Sequence, residues 1–243
     1  MKAIILAAGR GSRMKDLTAD QPKCLVEVGG KSLLNWQMDA IRGAGIEEIG
    51  IVTGYQRELL PLDNVTEFHN AEWKITNMVS SLCCAQEWLR TEPCIVSYSD
   101  IFYHDDAIRL LVHAGAKIAI TFDPYWKKLW EKRFGNPLID AETFRLDKNG
   151  NLREIGNKPR TMDEIEGQYM GLLRFTPPGW NDFQRIWSNL KKNERQNIHI
   201  TAMLQKIINA KAVNILPLPY FGNWGEIDSQ EDLEIYNTKG WFC

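Results

Sequence analysis

Short apolar runs alternate along the first half of this chain with stretches whose apolar positions recur every three or four residues. Ala3–Ala7 is continuously apolar, which predicts a buried strand. From Ser32 to about Ala44, Leu34, Met38 and Ile41 fall on one helical face, and Gly43 and Gly45 act as stop signals. Ile49–Thr53 reads as a second short strand closed by Gly54. Asn77–Leu89 reads as a helix, Cys94–Tyr98 as a strand ending near Asp100, Asp106–Ala114 as a helix and Lys117–Phe122 as a strand. This β-α alternation over the first 125 or so residues predicts an α/β protein, with a mostly parallel sheet and helices on both faces.

The rhythm then changes. Tyr125–Phe134 (YWKKLWEKRF) is aromatic, basic and predicted helical. Thr143–Glu154 alternates apolar and polar residues around Asp147-Lys148-Asn149-Gly150-Asn151, the pattern of a hairpin. Gly167–Phe175 is a further strand candidate. Helices are expected around Trp180–Leu190 and Ile200–Ala210, and a last strand at Val213–Leu218. Ser229–Tyr236 closes the series as a helix whose Ser229-x-x-Asp232 matches a capping box. There are no repeats, low-complexity stretches or obvious linkers. The expectation is a single domain, residues 1–243, with a lid or acceptor-binding insert at about 123–176.

Composition narrows the function. With 44% hydrophobic and 25% charged residues the chain is an ordinary globular one, and its net charge of −2 argues against a partner held through nucleic-acid phosphates. No apolar run reaches the ~18 residues of a membrane span, and the apolar start is cut short by Gly9 and Arg10, which argues against a signal peptide. The five cysteines, Cys24, Cys83, Cys84, Cys94 and Cys243, are odd in number and form no C-x-x-C pair. Buried small hydrophobes in a cytoplasmic protein account for them. His69, His104, His113 and His199 lack ligand spacing and read as structural or surface residues.

The candidate chemistry begins in "LAAGRGSR", Leu6 to Arg13. A glycine-rich turn between a first strand and a first helix brings backbone N–H groups close to phosphate oxygens. The dinucleotide fingerprint fails, because Gly9-x-Gly11 is followed by Ser12, Arg13 and Met14, and Thr53-Gly54 stands where a second strand would end in an acid. A P-loop fails as well: Gly30-Lys31-Ser32 supplies the tail, but Leu25 holds the place of the required glycine. What remains is G-x-G-x-R followed by Pro22-Lys23, two cations added to a set of backbone donors, which suits a triphosphate.

These residues carry a resemblance. "LAAGRGSRM…QPKCL" is similar to the L-A-A-G-x-G-x-R…P-K signature of the nucleotidyltransferases that activate small phosphorylated compounds, such as the sugar-1-phosphate nucleotidylyltransferases. The likeness runs along the whole chain. Val52–Tyr55 matches that family's second strand, and Ser97–Asp100 its strand ending in a metal-binding aspartate. Asn77–Leu82 (NMVSSL) and Trp224–Asp228 (WGEID) resemble the N-x-x-S-S-L loop and W-x-E-I-D segment of the phosphocholine cytidylyltransferase branch.

The resemblance implies a Rossmann-like nucleotidyltransferase fold and transfer of CMP from CTP to a small phosphate or phosphonate acceptor. It implies Mg²⁺ held by Asp100, Asp228 and Glu226, and Arg13, Lys23 and Lys158 as catalytic cations, Lys158 meeting the acceptor's phosphate. The nucleotide would lie on Leu6, Ala7, Ala8, Gly9, Gly11, Asn77, Ser80 and Ser81. Ser80 and Ser81 equally suit the N-terminus of a helix, and the sequence leaves both roles open. Independently of family, Mg²⁺ takes hard oxygen ligands, Asp100 follows a strand at the ligand-binding end of the sheet, and Glu-Ile-Asp in extended form turns both carboxylates one way.

For the acceptor, Tyr125, Trp126, Trp130 and Phe134 with Tyr169 suit an aromatic cage for a quaternary ammonium, though the four-residue spacing of the tryptophans also suits core packing. A primary ammonium would turn instead to Asp123, Asp140, Glu142 or Glu166. Phosphocholine is the first expectation and 2-aminoethylphosphonate the second. The rivals are a sugar-1-phosphate nucleotidylyltransferase and a nucleotide-binding module without turnover.

Overall fold

The apolar runs become a seven-stranded sheet in a computed structural model that describes residues 1–237, the side chains of Lys15 and Asp16 apart. Its strands are β1 (Lys2–Ala7), β2 (Ile49–Thr53), β3 (Thr66–His69), β4 (Cys94–Tyr98), β5 (Ile118–Asp123), β6 (Gln168–Phe175) and β7 (Ile215–Pro219). They lie in the order β7-β5-β6-β4-β1-β2-β3. Every neighbouring pair is parallel except those of β6, which runs antiparallel to both β4 and β5.

The helices are α1 (Leu33–Gly43), α2 (Met78–Cys84), α3 (Gln86–Thr91), α4 (Asp105–Val112), α5 (Trp126–Phe134), α6 (Pro177–Ser188), α7 (Lys192–Asn197), α8 (Ile200–Asn209) and α9 (Gln230–Tyr236). Alternate side chains of β1 enter opposite cores, as the two-residue period of a strand requires. Ala3, Ile5 and Ala7 pack with α1, α4 and α5, whereas Ile4, Leu6 and Ala8 pack with α2, α3, α6 and α8.

Most expected elements are present within a residue or two. The hairpin pairs Phe144–Leu146 with Leu152–Ile155, its turn held by Asp147, whose Oδ1 accepts from the backbone of Asn149 and Asn151. Ser229 and Asp232 form the capping box of α9. The helix expected over Asn77–Leu89 is instead two, α2 and α3, divided at Ala85. Two elements had no usable pattern: β3, where only Phe68 is buried, and α7, which buries nothing.

A small antiparallel ladder matters most for the site. Trp224–Glu226 pairs with Ile101–Tyr103, Gly225 opposite Phe102. The contact requires glycine, since a Cβ on residue 225 would stand 2.5 Å from the Phe102 ring and 2.6 Å from Tyr236. Cys24, Cys83, Cys84 and Cys94 are free, the first and last fully buried, while Cys243 lies outside the described residues. Among the described residues no helix is long and apolar enough to cross a membrane.

Candidate active site

The glycine-rich loop leaves the end of β1 and coils into 3₁₀ turns over Ser12–Thr18. Gly11 adopts φ +69°, and its carbonyl accepts from Met14 N and Thr18 Oγ. A Cβ here would lie 2.9 Å from the stem of Lys23, so the glycine lets that side chain pass beneath the loop. Lys23 is 8% exposed, and its ammonium donates to Asp228 Oδ1 at 2.6 Å and Asp100 Oδ2 at 2.9 Å. The Arg13 guanidinium meets the same Asp228 oxygen at 2.8 Å and stands 3.9 Å from Asp140.

The Trp224–Glu226 ladder carries Glu226 and Asp228 to Asp100, and Ile227 N donates to the Asp100 carbonyl at 2.9 Å. Asp100, Glu226 and Asp228 thereby bring one oxygen each within 4.8 Å of one another. Asp232, third residue of α9 and partner of Ser229 in its capping box, accepts from Asp228 N at 2.8 Å. Arg133 of α5 reaches the cluster from the other side, bonding Glu226 at 2.9 Å and Asp232 at 2.8 and 3.1 Å, and touching Asp228 at 3.4 Å.

Burial and the neighbouring Asp228 charge push the Glu226 carboxyl up, against the pull of Arg133. Burial acts on Asp228 in the same sense, but Lys23, Arg13 and Arg133 outweigh it and hold that carboxyl below the usual carboxylate range. Burial would lower Lys23, yet Asp100, Asp228 and Glu226 raise it, so it stays charged. Three converging carboxylates, with a buried Asp100 Oδ1 that has no hydrogen-bond partner among the described residues, are a donor set that fits a divalent cation.

Three adjoining hollows run past this cluster. Leu6, Ala8, Gly9, Asn77 and Ser81 line one of about 90 Å³. It shares Leu6, Gly9 and Met78 with a second, of about 250 Å³, walled by Gly11, Arg13, Lys23 and Asp100. That one shares Arg13, Tyr98 and Asp100 with a third, of about 320 Å³, reached by Trp130, Asp140, Glu142, Gln168, Tyr169 and Asp228. The residues expected to hold a nucleotide thus gather at one end, with two departures. Ala7 is buried strand, opposite Thr53. Ser80 Oγ donates to the Arg195 carbonyl, while Ser81, held by Asn70, does face the hollow.

The acceptor side departs further from expectation. The Lys158 ammonium donates to the carbonyls of Leu138 and Ile139 and has no place in the cavity wall. Trp126 packs in the core beside Trp130, because one helical turn separates them and only Trp130 reaches the cavity. Tyr125, 71% exposed, pairs with Phe221 over a separate hollow that includes Lys128. The aromatic cage therefore reduces to Trp130 and Tyr169, joined by Tyr98. Of the four carboxylates, Asp140 and Glu142 face the cavity, whereas Asp123 accepts from Trp224 Nε1 and Tyr125 N, and Glu166 from Leu146 N.

Gln168, Tyr98, His199 and Arg133 carry no sequence signal of their own for the site. His199 lines the cavity and lies 3.2 Å from Asn77 Nδ2.

Residues 3–146 match the family model described as the MobA-like NTP transferase domain. A protein of Campylobacter jejuni named CTP:phosphoglutamine cytidylyltransferase is 40% identical over 98% of this chain and all of its own length. A 2-aminoethylphosphonate cytidylyltransferase of Lancefieldella rimae is 32% identical over 44% of this chain and 45% of its own. Among solved structures, the CTP:phosphocholine cytidylyltransferase of Streptococcus pneumoniae superposes with a TM-score of 0.71 at 21% identity, over 97% of each chain, which shows the shared fold. With its glycine-rich loop and carboxylate cluster in place, the chain belongs to the MobA-like NTP transferase domain family and is a nucleotidyltransferase of the cytidylyltransferase branch.

Proposed function

We propose that this enzyme moves CMP from CTP to a small phosphorylated amino compound that bears N–H donors, with Mg²⁺ held by Asp100, Asp228 and Glu226. The triphosphate lies on the Gly9–Arg13 loop and the base in the hollow of Asn77 and Ser81. The acceptor occupies the cavity of Trp130, Glu142, Gln168 and Tyr169, walled in part by the stretch from about 123 to 176.

An acceptor phosphate oxygen attacks the α-phosphorus. The new P–O bond forms as the bond to the bridging oxygen breaks, and pyrophosphate leaves with that electron pair. A phosphomonoester has a second pKa of about 6, so the nucleophile is ionised near neutrality and no general base is needed. Catalysis is alignment and charge neutralisation. Arg13 and Lys23 supply fixed positive charge beside the loop, and Mg²⁺, when bound, supplies more.

The observation that carries the acceptor class is Gln168. It is 7% exposed, its side-chain amide makes no hydrogen bond among the described residues, and Oε1 is buried. Beside it Glu142, its carboxyl raised by burial, has only a 3.5 Å contact with Thr201. These groups seek N–H donors. A trimethylammonium offers none and would leave buried acceptors unpaired, whereas an ammonium or amide satisfies them. The full-length similarity to a phosphoglutamine enzyme supports the same class and displaces phosphocholine from first place.

Pyrophosphate release with Mg²⁺ and CTP tests this, scanning phosphoglutamine, 2-aminoethylphosphonate, phosphoethanolamine, phosphocholine and glucose 1-phosphate, with UTP, dTTP and ATP as alternatives. Turnover is expected with CTP and an N–H-bearing acceptor. Preference for phosphocholine would overturn the acceptor class, and turnover only with the sugar phosphate would overturn the acceptor and favour an NDP-sugar product.

A further inference from the structure

We propose that Arg133 is a positioning residue of the carboxylate cluster: anchored on Asp232, it holds Glu226 Oε2, leaves Glu226 Oε1 to the cation, and steadies Asp228 through Oδ2. The inference rests on reading Asp100, Glu226 and Asp228 as magnesium ligands.

The Arg133 side chain is fully buried, an unusual place for a guanidinium unless its donors are engaged. Nε and one terminal nitrogen grip both oxygens of Asp232, at 2.8 and 3.1 Å, in the two-pronged geometry open to Arg and closed to Lys. Asp232 is itself tied down, since its Oδ2 accepts from Asp228 N and Ser229 N at the start of α9. The Trp130 and Phe134 rings lie 5.0 and 4.8 Å from the guanidinium carbon. Arg133 is thus anchored before it meets any candidate ligand.

From that anchor it selects oxygens. One terminal nitrogen takes Glu226 Oε2 at 2.9 Å and the other approaches Asp228 Oδ2 at 3.4 Å. Glu226 Oε1 makes no hydrogen bond among the described residues, and Asp228 Oδ1 is turned to Lys23 and Arg13. Lys23 pairs with Asp100 and Asp228 but not with Glu226, whose ion pair is with Arg133. The cluster therefore has a cation on each flank with separate tasks, Lys23 on the loop side and Arg133 behind the ligands. Trp130, one turn before Arg133 on α5, lines the acceptor cavity, so one helix orients both the carboxylates and the acceptor wall.

The test is Mn²⁺ binding to the full chain, followed by electron paramagnetic resonance, alongside steady-state kinetics for wild type, Arg133→Lys, Asp232→Asn and Asp100→Asn. Arg133→Lys keeps the charge and loses the fork. It is expected to weaken Mn²⁺ binding and lower kcat about 10- to 100-fold, with the KM for CTP little changed. Asp232→Asn, which loosens the anchor and leaves Arg133 in place, is expected to do the same to a smaller extent, and it carries the test if circular dichroism shows Arg133→Lys unfolded. Wild-type Mn²⁺ affinity and kcat in folded Arg133→Lys and Asp232→Asn would overturn the inference while the metal reading stands, provided Asp100→Asn abolishes Mn²⁺ binding. If Asp100→Asn binds Mn²⁺ as wild type does, the metal reading itself falls and this inference with it.

Discussion

The two ends of the active-site groove are built on opposite principles. Around the phosphate loop and carboxylates nearly every charge has a partner: Lys23, Arg13 and Arg133 are spread over Asp100, Glu226, Asp228 and Asp232. At the acceptor end, Gln168 keeps a buried amide oxygen unpartnered and Glu142 has one long contact. Paired charges whose remaining oxygens are left for a cation give a fixed field, suited on the proposed reading to a triphosphate whose charges are the same whatever the acceptor. An unsaturated pocket gives discrimination, because the right ligand supplies the bonds and the wrong one leaves polar groups stranded. On the proposed function, common chemistry and particular specificity occupy separate parts of one groove.

The most severe way to break this contrast is Lys23→Met. Turnover should fall roughly 10²- to 10³-fold for every acceptor, as when a charge-stabilising donor is removed. Because Asp228 loses a buried partner, stability by urea unfolding should also drop, by about 3–5 kcal/mol. Near-normal turnover would mean that the lysine only holds the loop.

Gln168→Leu sharpens the other half. The expected loss is roughly 10- to 100-fold in kcat/KM for an N–H-bearing acceptor, with the KM for CTP and the weak rate with phosphocholine little altered. An equal loss for all acceptors would show that the two ends are not separable.

Gly225→Ala tests the ladder that joins the halves. The clash with Phe102 and Tyr236 should cost about 1–3 kcal/mol in a urea titration and lower activity with all acceptors alike.

The smallest effect is in the thiols. Burial pushes Cys24, next in the chain to Lys23, and Cys94 up to about 12, from about 9 in an open chain. Folded-state values above the unfolded ones mean stability is intact below about pH 9 and declines as pH rises toward 12. Both thiols should resist Ellman's reagent at pH 8 until denaturant is added. Fast labelling of Cys24 in native protein would show that the nucleotide half opens.

The glycine-rich loop and its cations were legible in the sequence because they are contiguous. Leu6 to Arg13 and Pro22-Lys23 lie in one stretch, and a strand-loop pattern fixes where they point. Glu226 and Asp228 were legible as a pair from their alternate spacing, though the ladder that brings them to Asp100 is only three residues long and leaves no pattern of its own. The acceptor end is assembled from α5, the segment before the hairpin, and β6. Whether Trp126 or Trp130 faces a cavity depends on helix rotation, and whether Gln168 does depends on a register that shifts between Tyr169 and Leu173. Lys158 looked available because nothing in its neighbourhood announces that the carbonyls of Leu138 and Ile139 will take its ammonium. Arg133 was visible only as one basic residue in a basic helix, its partners about a hundred positions away.

Lys23 and Asp228 stand 205 positions apart, yet their bond is among the shortest in the site. During synthesis the loop is finished long before its counter-charges leave the ribosome. The charge network of the site therefore closes only when the final ladder docks on Ile101–Tyr103. A nick before Trp224 that frees this segment would take Glu226 and Asp228 from the cluster together and leave Lys23 with Asp100 alone.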